Sequence, residues 1–140
     1  MIKGINISNV FVFDQDEALD FYVGKLGLEV SADIDFGPMR WLTVTAPGNP
    51  EREILLEKPA PPSVDPDSVS QLRELISKGA TGFTVGFVTE DAHEFFKELR
   101  DKGVEITQEP VEQAHGIDFG IRDPFGNHIR IVQKRAAAPA

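Results

Sequence analysis

Residues Ile5 to Phe13 form an apolar run rich in Ile, Val and Phe, which reads as a strand. Asp14-Gln15-Asp16-Glu17 follows at once, an acceptor residue with a glutamate three places on, the pattern of a helix start. Ala18, Leu19, Tyr22, Val23 and Leu26 then recur at spacings of three and four, which predicts a helix with one apolar face, and Gly27 supplies its stop. Three shorter strand-like runs come next, Leu28 to Ile34, Arg40 to Thr45 and Arg52 to Glu57. They are divided by Asp35-Phe36-Gly37-Pro38 and Pro47-Gly48-Asn49-Pro50, both turn chemistries. The order is βαβββ.

A proline-rich connector, Pro59 to Pro66, leads to a short helix expected around Ser68 to Lys78. The second half repeats the plan: a strand at Gly82 to Val88, a helix at Glu90 to Lys102 with Thr89 as its cap and Gly103 as its stop, then strands near Val104 to Thr107, Ile117 to Arg122 and His128 to Lys134. Aligned by residue, Ala18 matches Ala92 and Phe21 matches Phe95 at a separation of 74, Gly27 matches Gly103 at 76, and Pro47 matches Pro124 at 77. Each half alone has a sheet with one uncovered face to bury, so the duplication predicts a pseudo-twofold α+β fold of two βαβββ modules in tandem. The expectation is one domain over about 1–135, with module one at about 5–58, a connector at 59–80, module two at about 81–134, and a frayed tail at 136–140.

Length and composition narrow the function. A chain of 140 residues fits one domain, and at this size folding buries roughly 68–70% of the surface that the unfolded chain exposes. No apolar run nears the ~18 residues of a membrane span, and Met1-Ile2-Lys3-Gly4 enters a strand without the sections of a secretion signal, so a cytoplasmic protein is expected. The absence of cysteine excludes thiolate zinc sites, cysteine nucleophiles and disulfides. A formal charge of −9 argues against nucleic acid as a partner, since phosphate contact needs clustered Lys and Arg. An acidic surface keeps a protein soluble, and it also attracts cations. No nucleophile motif, phosphate-cradling loop or dinucleotide fingerprint is present: the glycines are scattered at turns.

Two segments carry a family resemblance, residues 12–28 (VFDQDEALDFYVGKLGL) and residues 119–131 (FGIRDPFGNHIRI). The first resembles the strand and helix that open the glyoxalase/bleomycin resistance/dioxygenase superfamily, also called the vicinal oxygen chelate superfamily. The second is similar to its closing hairpin, built on an Asp-Pro-x-Gly turn. With the repeat, the likeness covers about residues 5 to 134. It implies curved mixed sheets around a small-molecule cavity and a homodimer. It does not fix the activity, since the superfamily includes isomerases, ring-cleaving dioxygenases, thiol transferases and metal-free antibiotic-sequestering proteins.

Metal-dependent members hold ligands, typically two His and one or two Glu, on the first and last strands of each module. Carried over by motif, those positions fall on Ile7, near Gly82, and on Arg130, while Glu53, or Glu57 further along the same strand face, keeps ligand chemistry. Ile and Gly offer no donor atom and a guanidinium repels a divalent ion. His93 is expected on a helix surface, His115 in a loop at the pocket rim, and His128 on the strand face of Arg130, and their spacing matches no zinc motif. The expectation is therefore a metal-independent binding protein without cofactor, resembling the drug-sequestering branch. The alternative is a metal-dependent lyase, isomerase or dioxygenase whose divalent ion is held by Glu53, Glu57, His115 and His128. A metal-free enzyme with a carboxylate base is disfavoured, because a nearby Arg130 would lower the pKa that burial must raise.

Strand alternation fills in the pocket. If Val10, Val12, Phe83, Val85, Phe87, Leu42, Val44, Ile129 and Ile131 pack beneath the helices, the opposite faces present Ile7, Asn9, Phe11, Trp41, Thr43, Thr84, Gly86, Asp118 and Gly120. That lining suits a pocket of roughly 300–1,000 Å³. Trp41 is the expected stacking contact. An inward Arg130 needs a neutralising carboxylate, expected from Glu53 or Glu57. For a cationic ligand, Glu53, Glu57 and Asp118 would supply charge-assisted hydrogen bonds, and Trp41 and Phe11 cation–π contact. The expected ligand-binding set is Phe11, Trp41, Thr43, Glu53, Glu57, His115, Asp118, His128 and Arg130.

Overall fold

The computed structural model describes residues 1–135, and the tail expected at 136–140 lies outside the described residues. The first module runs β1 (Ile7–Phe11), α1 (Gln15–Tyr22), β2 (Glu29–Asp35), β3 (Arg40–Ala46) and β4 (Asn49–Glu57). A 3-10 turn at Pro66–Ser68 and the helix α2 (Val69–Ser77) follow the connector. The second module runs β5 (Phe83–Val88), α3 (Ala92–Asp101), β6 (Glu105–Gln113), β7 (Gly116–Arg122) and β8 (His128–Lys134). Each module carries a four-stranded mixed sheet, ordered β1-β4-β3-β2 and β5-β8-β7-β6. The β1–β4 and β5–β8 pairs are parallel and the rest antiparallel. The fold is thus α+β, two tandem βαβββ modules with open sheets. The chain divides into two compact units, Met1–Leu75 and the part from Ile76 onward, a boundary that falls within α2. Within the first unit, the guanidinium of Arg73 lies 4.4 Å over the ring of Phe13, a cation–π contact that ties α2 to module one.

The two central helices begin alike. Asp14 is extended and its carboxylate accepts the backbone N–H of Glu17 at 2.8 Å. Asp91 does the same for Glu94 at 3.0 Å, so Asp91 caps α3 and Thr89 does not. Thr89 is still part of the sheet: its N–H donates to Val132 O, as that of Val12 donates to Glu57 O. These pairs fix the structural repeat at 77 in this region (91 − 14 and 89 − 12), one helical turn away from the 74 at which Ala18 aligns with Ala92. The sequence likeness of two alanines and two phenylalanines is overridden by the ladder and the cap. Gly27 and Gly103, with φ of +84° and +80°, accept the left-handed turn after each helix.

The helix-facing sides form the core. In module one Val10, Val12, Leu42 and Val44 are buried with Ala18, Phe21 and Tyr22 of α1. In module two Phe119, Ile121, Ile129 and Ile131 are buried with Ala92 and Leu99 of α3, and the half-buried rings of Phe95 and Phe96 meet Phe119 edge-on. Phe83 departs from the expected face. A register shift between Phe83 and Val85 takes its side chain off the core, and it is 66% exposed. Strand β6 is also longer than expected, reaching Gln113 through two register shifts and past Pro110. It is an edge strand, where a proline without an N–H is tolerated.

Candidate functional site

In antiparallel and parallel ladders alike, partnered residues share a face, so the register decides which side chains meet. On the face of module one away from α1, Ile7 pairs with Glu53, Asn9 with Leu55, Phe11 with Glu57, and Thr43 with Leu55. Thr43 is fully buried and donates to Glu53 Oε1 at 2.9 Å, and Ser31 donates to the same oxygen at 2.8 Å. Asn9 Nδ2 donates to Glu57 Oε1 at 2.9 Å. Both carboxylates are therefore held by neutral donors. Phe11 and Trp41 are half-buried on their strands, Trp41 opposite Ile34.

Module two assembles a denser network. Gly86, Arg130 and Gly120 are partners across β5, β8 and β7, and Gln108 of β6 pairs with Gly120. Arg130 donates from Nη2 to Asp118 Oδ1 at 2.9 Å and from Nη1 to Gln108 Oε1 at 3.1 Å. Asp118 also receives Gln108 Nε2 at 3.4 Å and faces His115 Nε2 at 3.0 Å. The neutralising partner of Arg130 is thus Asp118, with Gln108 beside it, rather than Glu53 or Glu57. Asp118 pairs with Val132 and so lies diagonally across from Arg130 on the adjacent strand, close enough for a direct bond. Gly120 makes the room. A Cβ there would lie 2.5 Å from Thr107 Oγ1 and 2.7 Å from Arg130 Nη1, so only a residue without a side chain lets the guanidinium cross β7.

Three of the expected residues, His115, Asp118 and Arg130, come together in this network, as do Thr43 and Glu53 in module one. His128 stands apart from it. It pairs with Arg122, and a Cβ on Gly79 would collide with Arg122 Nη2 and lie 2.6 Å from His128 Nε2. Arg122 donates to Gly126 O at 3.3 Å and to Glu105 at 3.5 Å, while its buried Nη2 has no hydrogen-bond partner among the described residues. Gln108 and Ser31 were not among the expected site residues. Gln108 lies one position beyond the expected end of its strand, and Ser31 carried no motif. The signal for the Arg130 slot was Gly120 itself, a glycine in a strand interior, which marks close approach of another group.

The ladders also revise the metal positions. Val10 pairs with Leu56 as Phe87 pairs with Ile131, so Glu53 corresponds to His128 and Leu55 to Arg130, and Ile7, the partner of Glu53, corresponds to Phe83, the partner of His128, across the register shift in β5. Gly82 lies before β5 with φ of +72°. Neither Ile7 nor Phe83 has a side-chain donor atom for a metal, and Arg130 is a bound cation. Among the described residues no group of three or more His, Asp or Glu side chains is arranged to hold a metal ion. This donor set does not fit a resident divalent ion.

A separate cavity of about 230 Å³ lies at the end of module one, lined by Gln15, Pro38–Arg40, Glu57, Lys58 and residues 60–63 of the connector. Gln15 closes its base by donating to Arg40 O at 3.1 Å and Leu56 O at 2.8 Å. Arg40 grips both oxygens of Asp33, at 2.8 and 2.9 Å, and bonds Asp16 at 2.8 Å. The hydrogen bonds from Arg40 hold the Asp33 carboxyl below its usual range, and those to Asp33 and then Asp16 raise the guanidinium further above its own.

Comparison with known proteins accords with this architecture. The chain belongs to the Glyoxalase/Bleomycin resistance protein/Dioxygenase superfamily, whose family model matches residues 4–131. It is 34% identical over 131 residues to the protein YurT of Bacillus subtilis (strain 168), covering 93% of this chain and 98% of that one. Among solved structures it is similar to UcmS2, with a TM-score of 0.88 and 36% identity over 96% of this chain and 100% of the other. It is also similar to TnmS3, an antibiotic binding protein from Streptomyces sp. CB03234, with a TM-score of 0.75 and 26% identity over 96% and 98% of the two chains. No helix among the described residues is long and apolar enough to cross a membrane.

Proposed function

We propose that this protein is a metal-independent small-molecule binder of the drug-sequestering kind, acting as a cytoplasmic homodimer. The observation that carries the reading is Arg130, a guanidinium fixed by Asp118 and Gln108 on the last strand, in the part of the fold where metal-dependent members place an acidic ligand. A carboxylate whose charge is already balanced by a fixed guanidinium is a poor site for a second cation, and the guanidinium is placed to orient a ligand. The likeness to an antibiotic binding protein supports the same reading. Glu53 and Glu57, held by neutral donors, are the carboxylates left to meet a cationic group of a ligand.

The test is elemental analysis of untagged protein together with a thermal-shift screen of divalent metals and organic compounds. A ligand present at 100 times its Kd adds about 2.7 kcal/mol of stability, enough to raise Tm by several degrees. The expected result is substoichiometric metal, no stabilisation by metals, and stabilisation by at least one organic compound. A stoichiometric divalent ion removed only by chelation would overturn the proposal.

A further inference from the structure

The cavity at the end of module one lies wholly within the first compact unit, and its polar groups are not those of the Arg130 network. Strands β3 and β4 pair at Val44–Ile54 and Thr43–Leu55 and then part, and the Gln15 amide bridges the gap by donating to Arg40 O and Leu56 O. Both of its N–H groups are spent there, so the amide cannot turn over and its oxygen is fixed as an acceptor. That oxygen receives no donor among the described residues, whose one buried side-chain polar atom without a partner is Arg122 Nη2, so it is accessible at the cavity wall. Lys58 on the same wall is exposed and makes no hydrogen bond or ion pair among the described residues. An ammonium is a donor only, so the wall offers one fixed acceptor and one free donor.

The other charged groups of the wall are committed, Arg40 to Asp33 and Asp16, and Glu57 to the donor of Asn9. A cationic ligand would meet Lys58 and Arg40, and an anionic one the Gln15 oxygen, Glu57 and a chain at −9, so neither sign is favoured. The rest of the lining is largely apolar, with Pro38 and Met39 from the β2–β3 turn and Pro61 and Pro62 from the connector. Its volume of about 230 Å³ is below the roughly 300–1,000 Å³ of a drug-sized site, so the occupant is compact. We infer that this cavity is a second binding site, for a compact uncharged carboxamide whose N–H donates to the Gln15 oxygen and whose carbonyl accepts from Lys58. The apolar body of the ligand lies on the prolines and Met39. This site does not depend on the reading of Arg130, and either can fail without the other.

The experiment is NMR titration of the full chain with four single-ring compounds: benzamide, N,N-dimethylbenzamide, which lacks the N–H, benzoate, and protonated benzylamine. The side-chain NH₂ signals of Gln15 and the backbone amides of Met39 and Lys58 report the cavity directly. Benzamide is expected to shift these signals saturably, and to bind at least about fivefold more tightly than each of the other three, the order of effect of one hydrogen bond. Lys58→Met is expected to weaken benzamide by about fivefold or more with Tm unchanged, since Lys58 is exposed and holds nothing in the fold. Equal affinity for benzamide and its dimethyl form, tighter binding of either ion, or benzamide binding untouched by Lys58→Met would overturn the site. So would shifts confined to Gly120 and Arg130, or none at all up to the solubility of benzamide.

Discussion

Arg130 keeps 32% of its side-chain surface exposed while Asp118, its partner, keeps 13%, so the acid is the more deeply committed of the two. Asp118 faces donors from Arg130, Gln108 and His115. Replacing it leaves a half-buried cation short of its acceptor, and hydrogen bonds to charged groups contribute about 1.5–3 kcal/mol each. Asp118→Ala is expected to lower the unfolding free energy by about 1–3 kcal/mol in urea titrations. A change within about 0.5 kcal/mol would show that water replaces the carboxylate at no cost. That a fixed positive group occupies this strand was legible from the alternation of β8. Its partner was not, because Glu53 and Glu57 qualify by residue type alone, whereas the choice of Asp118 depends on the β7–β8 register and the gap at Gly120.

A helix start is a local contract between one acceptor and two or three backbone N–H groups, and both caps are specific enough to test. Asp91→Ala is expected to cost about 1 kcal/mol, as is Asp14→Ala, while Thr89→Ala stays within about 0.5 kcal/mol. Equal effects of Asp91→Ala and Thr89→Ala in chemical denaturation would refute the cap assignment. The β2–β3 hairpin carries a pH signature. Since Arg40 lowers the folded-state pKa of Asp33, their pairing contributes stability above the unfolded value of about 3.9 and loses it as pH falls through the folded value. Asp33→Asn should therefore lag the parent at pH 7 and converge with it in acid below about pH 4. Both residues are partly exposed, so the gap should also shrink with salt. A gap that widens in acid would reverse the sign and rule out the pairing as its cause.

At the scale of the molecule, repetition and charge dominate. Each module carries its own sheet, helix and core, and a formal charge of −9 is spread over the chain. Self-repulsion of like charge disfavours the compact state and is screened by salt. Raising NaCl from about 20 to 200 mM, which shortens the screening length to below about 10 Å, should raise Tm. A fall in Tm would mean that ion pairs such as Arg40–Asp33 outweigh the net repulsion.

The order of elements, the helix faces and the family were set by the sequence alone, because apolar periodicity, glycine stops and turn residues act over a few neighbours and need no knowledge of distant partners. The residue-by-residue match of the two modules, the length of β6, the exposure of Phe83 and the partners of Arg130 were decided only in three dimensions. Each depends on which residue stands opposite which. Strand register is a property of pairs far apart in the chain, and a shift by one place turns a side chain from one face to the other.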